Sequence, residues 1–234
     1  MDGTGESQRL VVAIDGPSGA GKGTVARAVA SRLGYRHVDT GAMYRAVAWL
    51  AAERGVSVER EDEVAALADR AEIDLRDAAV RIDRHDVTQA IRTPAIDRAA
   101  AAVARIAGVR RALVAGQRAL GASGGVVMEG RDIGTVVFPD AAVKIYLDAD
   151  PVERARRRAA DPAHAGGAEA LPDVASAMAQ RDRLDATRAA SPLTVAPDAV
   201  RIDTTGLAIE EVVEKVLGVI REREKGEGKR DKAR

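Results

Sequence analysis

A doubly wound parallel α/β sheet with helices on both faces is the fold this sequence predicts, and three observations predict it. An apolar run, Arg9–Asp15, stops at a glycine-rich turn and gives way to a stretch with helical spacing. Four more short apolar runs follow along the chain, with longer helical segments between them. The polar residues that look like motifs stand just after these runs, not inside them. Strands covered by helices on both faces read as continuous apolar runs. Strands that alternate with helices build a parallel sheet, and ligands then sit at its carboxyl edge.

Taken in order, RLVVAID at Arg9–Asp15 is a buried strand, and Lys22–Leu33 is the helix after the turn. A short strand at Arg36–Val38 precedes a helix from about Ala42 to Arg54. Short alternating segments from about 73 to 88, broken by Asp and Arg, predict a small antiparallel insertion. Thr93-Pro94 opens an alanine-rich helix, with a break near Ala107-Gly108 and a second helix to about Leu120. Core strands resume at Val126–Glu129 and Ala142–Leu147. Asp150 is a helix cap, Pro151 suits the first turn, and Glu153 can complete a capping box. Gly, Ala and two prolines at 161–172 predict a mobile loop. A helix over about 173–190, a strand at Val200–Asp203 and a helix at Ile209–Arg223 complete the fold. The expected division is a core at 9–63 and 121–223 with a lid at about 154–172, an insertion at 64–120, and flexible tails at 1–8 and 224–234.

Composition removes several classes of function. With 234 residues and 46% apolar content, the chain suits one domain with insertions. The net charge is zero, which gives no bulk attraction to nucleic acid or to an anionic membrane. Five aromatic side chains (Tyr35, Tyr44, Trp49, Phe138, Tyr146) cannot form a base-stacking platform. Without cysteine there is no disulfide, thiolate metal site or cysteine nucleophile. No apolar run approaches 18 residues, and the N-terminus lacks the pattern of a signal peptide, so a cytoplasmic protein is expected. His37, His85 and His164 lack metal-ligand spacing and are expected to be structural or solvated. Thirty of the 36 basic residues are arginine. Position gives them meaning, because a guanidinium binds phosphate oxygens bidentately.

The first motif is Gly16-Pro17-Ser18-Gly19-Ala20-Gly21-Lys22-Gly23-Thr24, a G-x4-G-K phosphate loop between strand and helix. Its glycines let backbone N–H groups turn inward around a phosphate, Lys22 reaches the β and γ oxygens, and the helix N-terminus adds its dipole. On the acceptor side, Asp39-Thr40-Gly41 with Arg45 one turn later is either a phosphate cradle or a plain helix cap beside a surface arginine. Glu129-Gly130-Arg131-Asp132 places two acids and a base at a strand end, which is costly to desolvate without a purpose. There Glu129 can hold a water on Mg²⁺, Arg131 can bind an acceptor phosphate, and Asp132 can accept from an amino group. Arg154, Arg156, Arg157 and Arg158 lie on one helix beside the glycine-rich lid, either as a solvated basic face or, as a group, as a clamp on a transferring phosphoryl group. Arg181, Asp185 and Arg188 share one helix face, as a site or as an ordinary ion pair.

At this point the sequence resembles the bacterial cytidylate kinases. The shared stretches are IDGPSGAGKGT (14–24), DTGAMYR (39–45), IRTP (91–94), GRDIGTVVFPDAAVKIYLDA (130–149) and RDRLDATRAASPL (181–193). The resemblance runs from about residue 10 to 220. It implies an adenylate-kinase-like fold with five parallel strands, an acceptor-binding insertion and a short lid. The implied reaction moves the γ-phosphate of ATP to CMP or dCMP with Mg²⁺. Residues 16–24 would bind ATP, with Thr24 near the metal. Thr40, Arg45, Arg92, Arg110, Arg131, Asp132, Arg181, Asp185 and Arg188 would surround the acceptor. Arg110 and Asp132 would read cytosine, Arg181 and Asp185 would lie near the sugar, and Arg45, Arg131 and Arg188 near phosphate.

Two departures from that pattern stand out. Ala101 replaces a base-contacting serine, which puts more of the selectivity over uracil on Arg110 and Asp132. Glu129 stands where aspartate is usual. Catalysis is expected from Lys22, Arg131, Arg154, Arg157, Arg158 and Arg188 through positioning and charge neutralisation, without a covalent intermediate. The alternatives left open are a kinase for UMP, AMP or shikimate, and a nucleotide-dependent switch. The partners expected are small-molecule nucleotides, with no nucleic acid, no membrane and a monomeric state.

Overall fold

A computed structural model describes residues 9–76, 79–161, 171–188 and 190–231, with backbone alone for 226–231. Five parallel strands form the main sheet: β1 (Val11–Asp15), β2 (Arg36–Asp39), β6 (Val126–Gly130), β7 (Val143–Asp148) and β8 (Val200–Asp203). Their order across the sheet is β2-β6-β1-β7-β8. The order reverses around β1, the place where doubly wound sheets open a crevice.

Alternation on the strands divides the core between two faces. Val12 and Ile14 of β1, Val127 of β6 and Ile145 and Leu147 of β7 pack under α1 (Lys22–Leu33) and α8 (Ile209–Asp231). Ala13, Val126 and Met128 face the other way, toward α2 (Thr40–Glu53). That second cluster continues into α3 (Glu61–Arg70), β4 (Ala79–Ile82), α4 (Pro94–Val103) and α5 (Ala107–Gly121). The insertion therefore shares a core with the sheet. Its strands β3 (Ile73–Arg76), β4 and β5 (His85–Asp86) form the antiparallel meander that the alternating segments predict. Helix α3, which the apolar pattern had not marked, straddles the boundary expected at residue 64.

Local chemistry explains the element ends. Thr93 Oγ1 caps α4 by accepting from Ile96 N, with Pro94 in the first turn. Asp150 accepts from Val152 N and Glu153 N at the start of α6 (Pro151–Ala159). The capping box does not form. Glu153 accepts instead from Arg156 and Arg157, and Asp150 N donates to Thr205 Oγ1 at 2.8 Å. Two guanidinium partners outcompete one backbone N–H for the carboxylate. Leu171 and Pro172, expected in the loop, open α7 (Leu171–Thr187). Residues 162–170, with His164, lie outside the described residues, as do the tails 1–8 and 232–234. The C-terminal tail expected from residue 224 is instead helical to Asp231. Lys, Arg and Glu are good helix formers, and extending an existing helix adds one hydrogen bond per residue fixed.

One element has no counterpart in the sequence pattern. Ile133–Val137 is a π-helix, with Val137 N donating to Asp132 O and Phe138 N to Ile133 O. Such turns concentrate at functional sites. Asp15, the last residue of β1, accepts from Ile133 N at 2.8 Å and from Gly134 N at 2.7 Å. Arg118 of α5 donates to the carbonyls of Val136 and Val137 at the other end. The π-helix is thus fixed at both ends, and Asp132 is held at the crevice.

Candidate active site

A cleft of about 1310 Å³ opens along the carboxyl edge of the sheet. The phosphate loop lines one side from Ser18 to Thr24, and Arg45, Arg92, Arg110 and Ala101 line the other. Gly16 sets the loop's exit from β1. Its φ is +150°, and a Cβ there would stand 2.0 Å from the carbonyl oxygen of Leu147 on β7. Only glycine fits so close a backbone approach. Lys22 is buried and donates to Pro17 O at 2.7 Å. Burial, and next the guanidinium of Arg131, push its ammonium down to about 7. Burial likewise raises the Asp15 carboxyl to about 6 against its two backbone donors.

The acceptor half is a lattice of guanidinium and carboxylate groups. Asp39 both caps α2, accepting from Ala42 N at 3.0 Å, and accepts from Arg45 at 2.8 Å, so the cap and the cleft arginine coexist. Thr40 Oγ1 donates to Glu129 O at 2.7 Å, joining α2 to β6. Arg110 pairs with Asp132 and lies over the Tyr44 ring, 5.5 Å from its centroid. Arg131 donates to Asp185 at 2.9 Å. Arg188, just past α7, stands 3.7 Å from both Asp132 and Asp185. The i, i+4, i+7 spacing of Arg181, Asp185 and Arg188 therefore does more than make an ion pair along a helix, because it meets Arg131 and Asp132 in the link between β6 and the π-helix. Burial, then Arg131, push the Arg181 guanidinium down to about 10.

Charge in this cleft exceeds its protein partners. Arg45 Nε, Arg110 Nε, Arg181 Nε and Arg188 Nη2 are buried and have no hydrogen-bond partner among the described residues. All four side chains line the cleft. Buried donors left unpaired are costly, and an anion with several oxygens is the ligand that satisfies them.

The expected lid clamp is rearranged. Of the four arginines on this helix, Arg156, Arg157 and Arg158 line the cleft. Arg157 donates to Thr204 Oγ1 at 2.9 Å and Thr204 O at 2.8 Å, while Arg158 pairs with Asp97 of α4. Arg154 is different. It is buried away from the cleft, donating to Ala149 O at 3.1 Å, Ser18 O at 3.0 Å and Asp182 at 2.5 Å. Engaged with Ser18 O of the phosphate loop, Ala149 O and Asp182, it braces that loop from behind instead of reaching a ligand.

Sequence reading also missed Asp15, Thr204 and Asp97. Asp15 and Thr204 carried a usable signal, since each stands at the carboxyl end of a core strand. Asp97 carried none.

The family model described as cytidylate kinase matches residues 12–222, from β1 into α8. This chain belongs to the cytidylate kinase family. A cytidylate kinase of Solibacter usitatus (strain Ellin6076) is 50% identical over 224 residues, covering 93% of this chain and 95% of that protein. Another, of Desulfitobacterium hafniense (strain Y51), is 47% identical over 219 residues, covering 92% and 94%. Among solved structures, a gluconokinase from Sinorhizobium meliloti 1021 aligns over 95% of this chain and 97% of its own, with TM-score 0.50 and 14% identity. At that identity the likeness concerns the fold alone. The cytidylate kinase match includes the insertion, the π-helix and the cleft on both sides. None of the described helices is long and apolar enough to cross a membrane.

Proposed function

We propose that the chain transfers the γ-phosphate of ATP to CMP or dCMP, giving ADP and CDP or dCDP. The observation that carries this reading is the set of four unpartnered, buried guanidinium nitrogens facing the phosphate loop across one cleft. Two polyanions must meet there, and arginines with free donors offset their repulsion.

In the proposed reaction an oxygen of the acceptor phosphate attacks the γ-phosphorus. The bond from that phosphorus to the β–γ bridging oxygen breaks, and ADP leaves with the electron pair. Lys22 exchanges Pro17 O for phosphate oxygens. Arg131 and Arg188 hold the acceptor phosphate beside Asp185. Arg157 and Arg158 spread over the transferring group, whose charge is shared by three equatorial oxygens, and Arg181 stands with Asp185 near the sugar. Asp132, held by Arg110, accepts from the amino group of cytosine, and Ala101 offers that base only a methyl group. The elements from α3 to α5 form the acceptor-binding unit in this reading.

A Mg²⁺ site fits the residues present. Glu129 Oε1 stands 3.1 Å from where a Cβ on residue 23 would be, so Gly23 leaves the carboxylate room beside the start of α1. Thr24 and Glu129 both line the cleft and offer hard oxygen ligands, directly or through water, which suit Mg²⁺ shared with phosphates. When bound, Mg²⁺ neutralises charge on the β and γ oxygens. The proposal extends to a cytoplasmic monomer whose partners are nucleotides, with light scattering as the test of the monomer.

The deciding experiment is ADP release from MgATP with CMP, dCMP, UMP, AMP, shikimate or no acceptor. Strong release with CMP and dCMP is expected. Comparable release with UMP would leave the kinase intact and overturn the role of Asp132. Nucleotide binding without acceptor-dependent release would favour a switch.

A further inference from the structure

His37 was expected to be structural or solvated, yet it faces the carboxylate that the metal reading depends on. Nε2 of His37 lies 3.1 Å from Oε1 of Glu129, with side-chain exposures of 18% and 10%. The β2–β6 register pairs His37 with Val127 and Asp39 with Glu129. His37 is thus the diagonal neighbour of Glu129 on one sheet face, within reach of a long side chain. Facing an ionised carboxylate, which only accepts, Nε2 is the donor. Asp39 is a second acid near this imidazole.

Glu129 reaches into the cleft on a flexible stem. Gly23 borders the carboxylate on one side, where a Cβ would stand 3.1 Å from Oε1. His37 supplies its side-chain hydrogen bond from the other side. Asp39 and Glu129 line the cleft and His37 does not, so the imidazole stands behind the carboxylate, out of a ligand's reach. From this geometry we infer that His37 is a positioning residue: it fixes the Glu129 carboxylate for Mg²⁺ bound with the nucleotide. The inference rests on the metal site of the proposed function. Partners of this kind, behind a ligating carboxylate, tune metal affinity by roughly 10–100-fold.

The test is ADP affinity measured by calorimetry with and without Mg²⁺ in wild type, His37→Phe and His37→Gln. In wild type, Mg²⁺ strengthens ADP binding. His37→Phe keeps a planar ring and loses the donor, so the Mg²⁺ enhancement falls by about tenfold, while metal-free affinity is unchanged. His37→Gln restores an N–H donor and recovers most of the enhancement. His37→Leu carries the same expectation as His37→Phe if the aromatic ring does not fold in place. A variant without the donor that keeps the wild-type enhancement overturns the inference. Equal losses with and without Mg²⁺ overturn it too, since they mark a purely structural role. Wild-type ADP binding that ignores Mg²⁺ removes the metal reading itself, and the two failures are therefore distinguishable.

Discussion

Burial holds the Lys22 ammonium well below its ordinary range before nucleotide arrives, so nucleotide binding is expected to take up a proton. Its ammonium is held at about 7 against an ordinary 10.5, chiefly by burial and then by Arg131. Each pKa unit is ~1.36 kcal/mol, which makes the penalty on the charged form about 5 kcal/mol. Phosphate oxygens beside Nζ favour the charged form and lift the pKa back. Well above that value the free enzyme has lost most of this charge and binding takes up a proton; below it the uptake shrinks. The terminal phosphate, with a second pKa near about 6, is already ionised at pH 8 and releases nothing. Asp15, at about 6, is ionised there as well. Calorimetry of ATP binding at pH 8, in two buffers of different ionisation enthalpy, measures the uptake directly. Heats that do not differ between the buffers would refute the reasoning. The same shift has a stability consequence of fixed sign. The folded pKa lies below the unfolded one, so the unfolded chain binds more protons between about 7 and 10.5. The ligand-free protein gains stability as pH rises through that window.

Two further outcomes follow from the site. Arg131→Ala should lower kcat/KM by about 10²–10³ and also lower the melting temperature, because Asp185 loses its 2.9 Å hydrogen bond and keeps only Arg188 at 3.7 Å; near-wild-type turnover of the folded variant would remove Arg131 from the mechanism. Arg154→Ala should act chiefly on stability, losing about 3–5 kcal/mol by stranding Asp182 and the Ser18 carbonyl. Exposed Arg156→Ala is its control, expected to stay within about 0.5 kcal/mol. Denaturant melts of the two variants side by side check this, and an Arg154→Ala midpoint equal to wild type would contradict it.

The parallel sheet, the phosphate loop and the acceptor motifs were legible because each is a local pattern. Strands buried on both faces repeat apolar residues in short runs. A phosphate loop needs glycine and lysine at fixed spacing between a strand and a helix. Chain direction alone then puts Gly16–Thr24, Asp39–Arg45 and Glu129–Asp132 at the same sheet edge. What the sequence withheld was the partner of each charged side chain. Arg154, Arg157 and Arg158 have one residue type and neighbouring positions, yet one grips Ser18 O, one Thr204 and one Asp97. Their fates divide according to which way each points off a helix of nine residues. The π-helix was hidden for a similar reason: its geometry depends on Asp15, 118 residues earlier in the chain, accepting its first N–H groups. Periodicity records which face of an element is buried, because burial acts on every residue of that face. Pairing between distant charges leaves no period behind, so only the packed structure decides it.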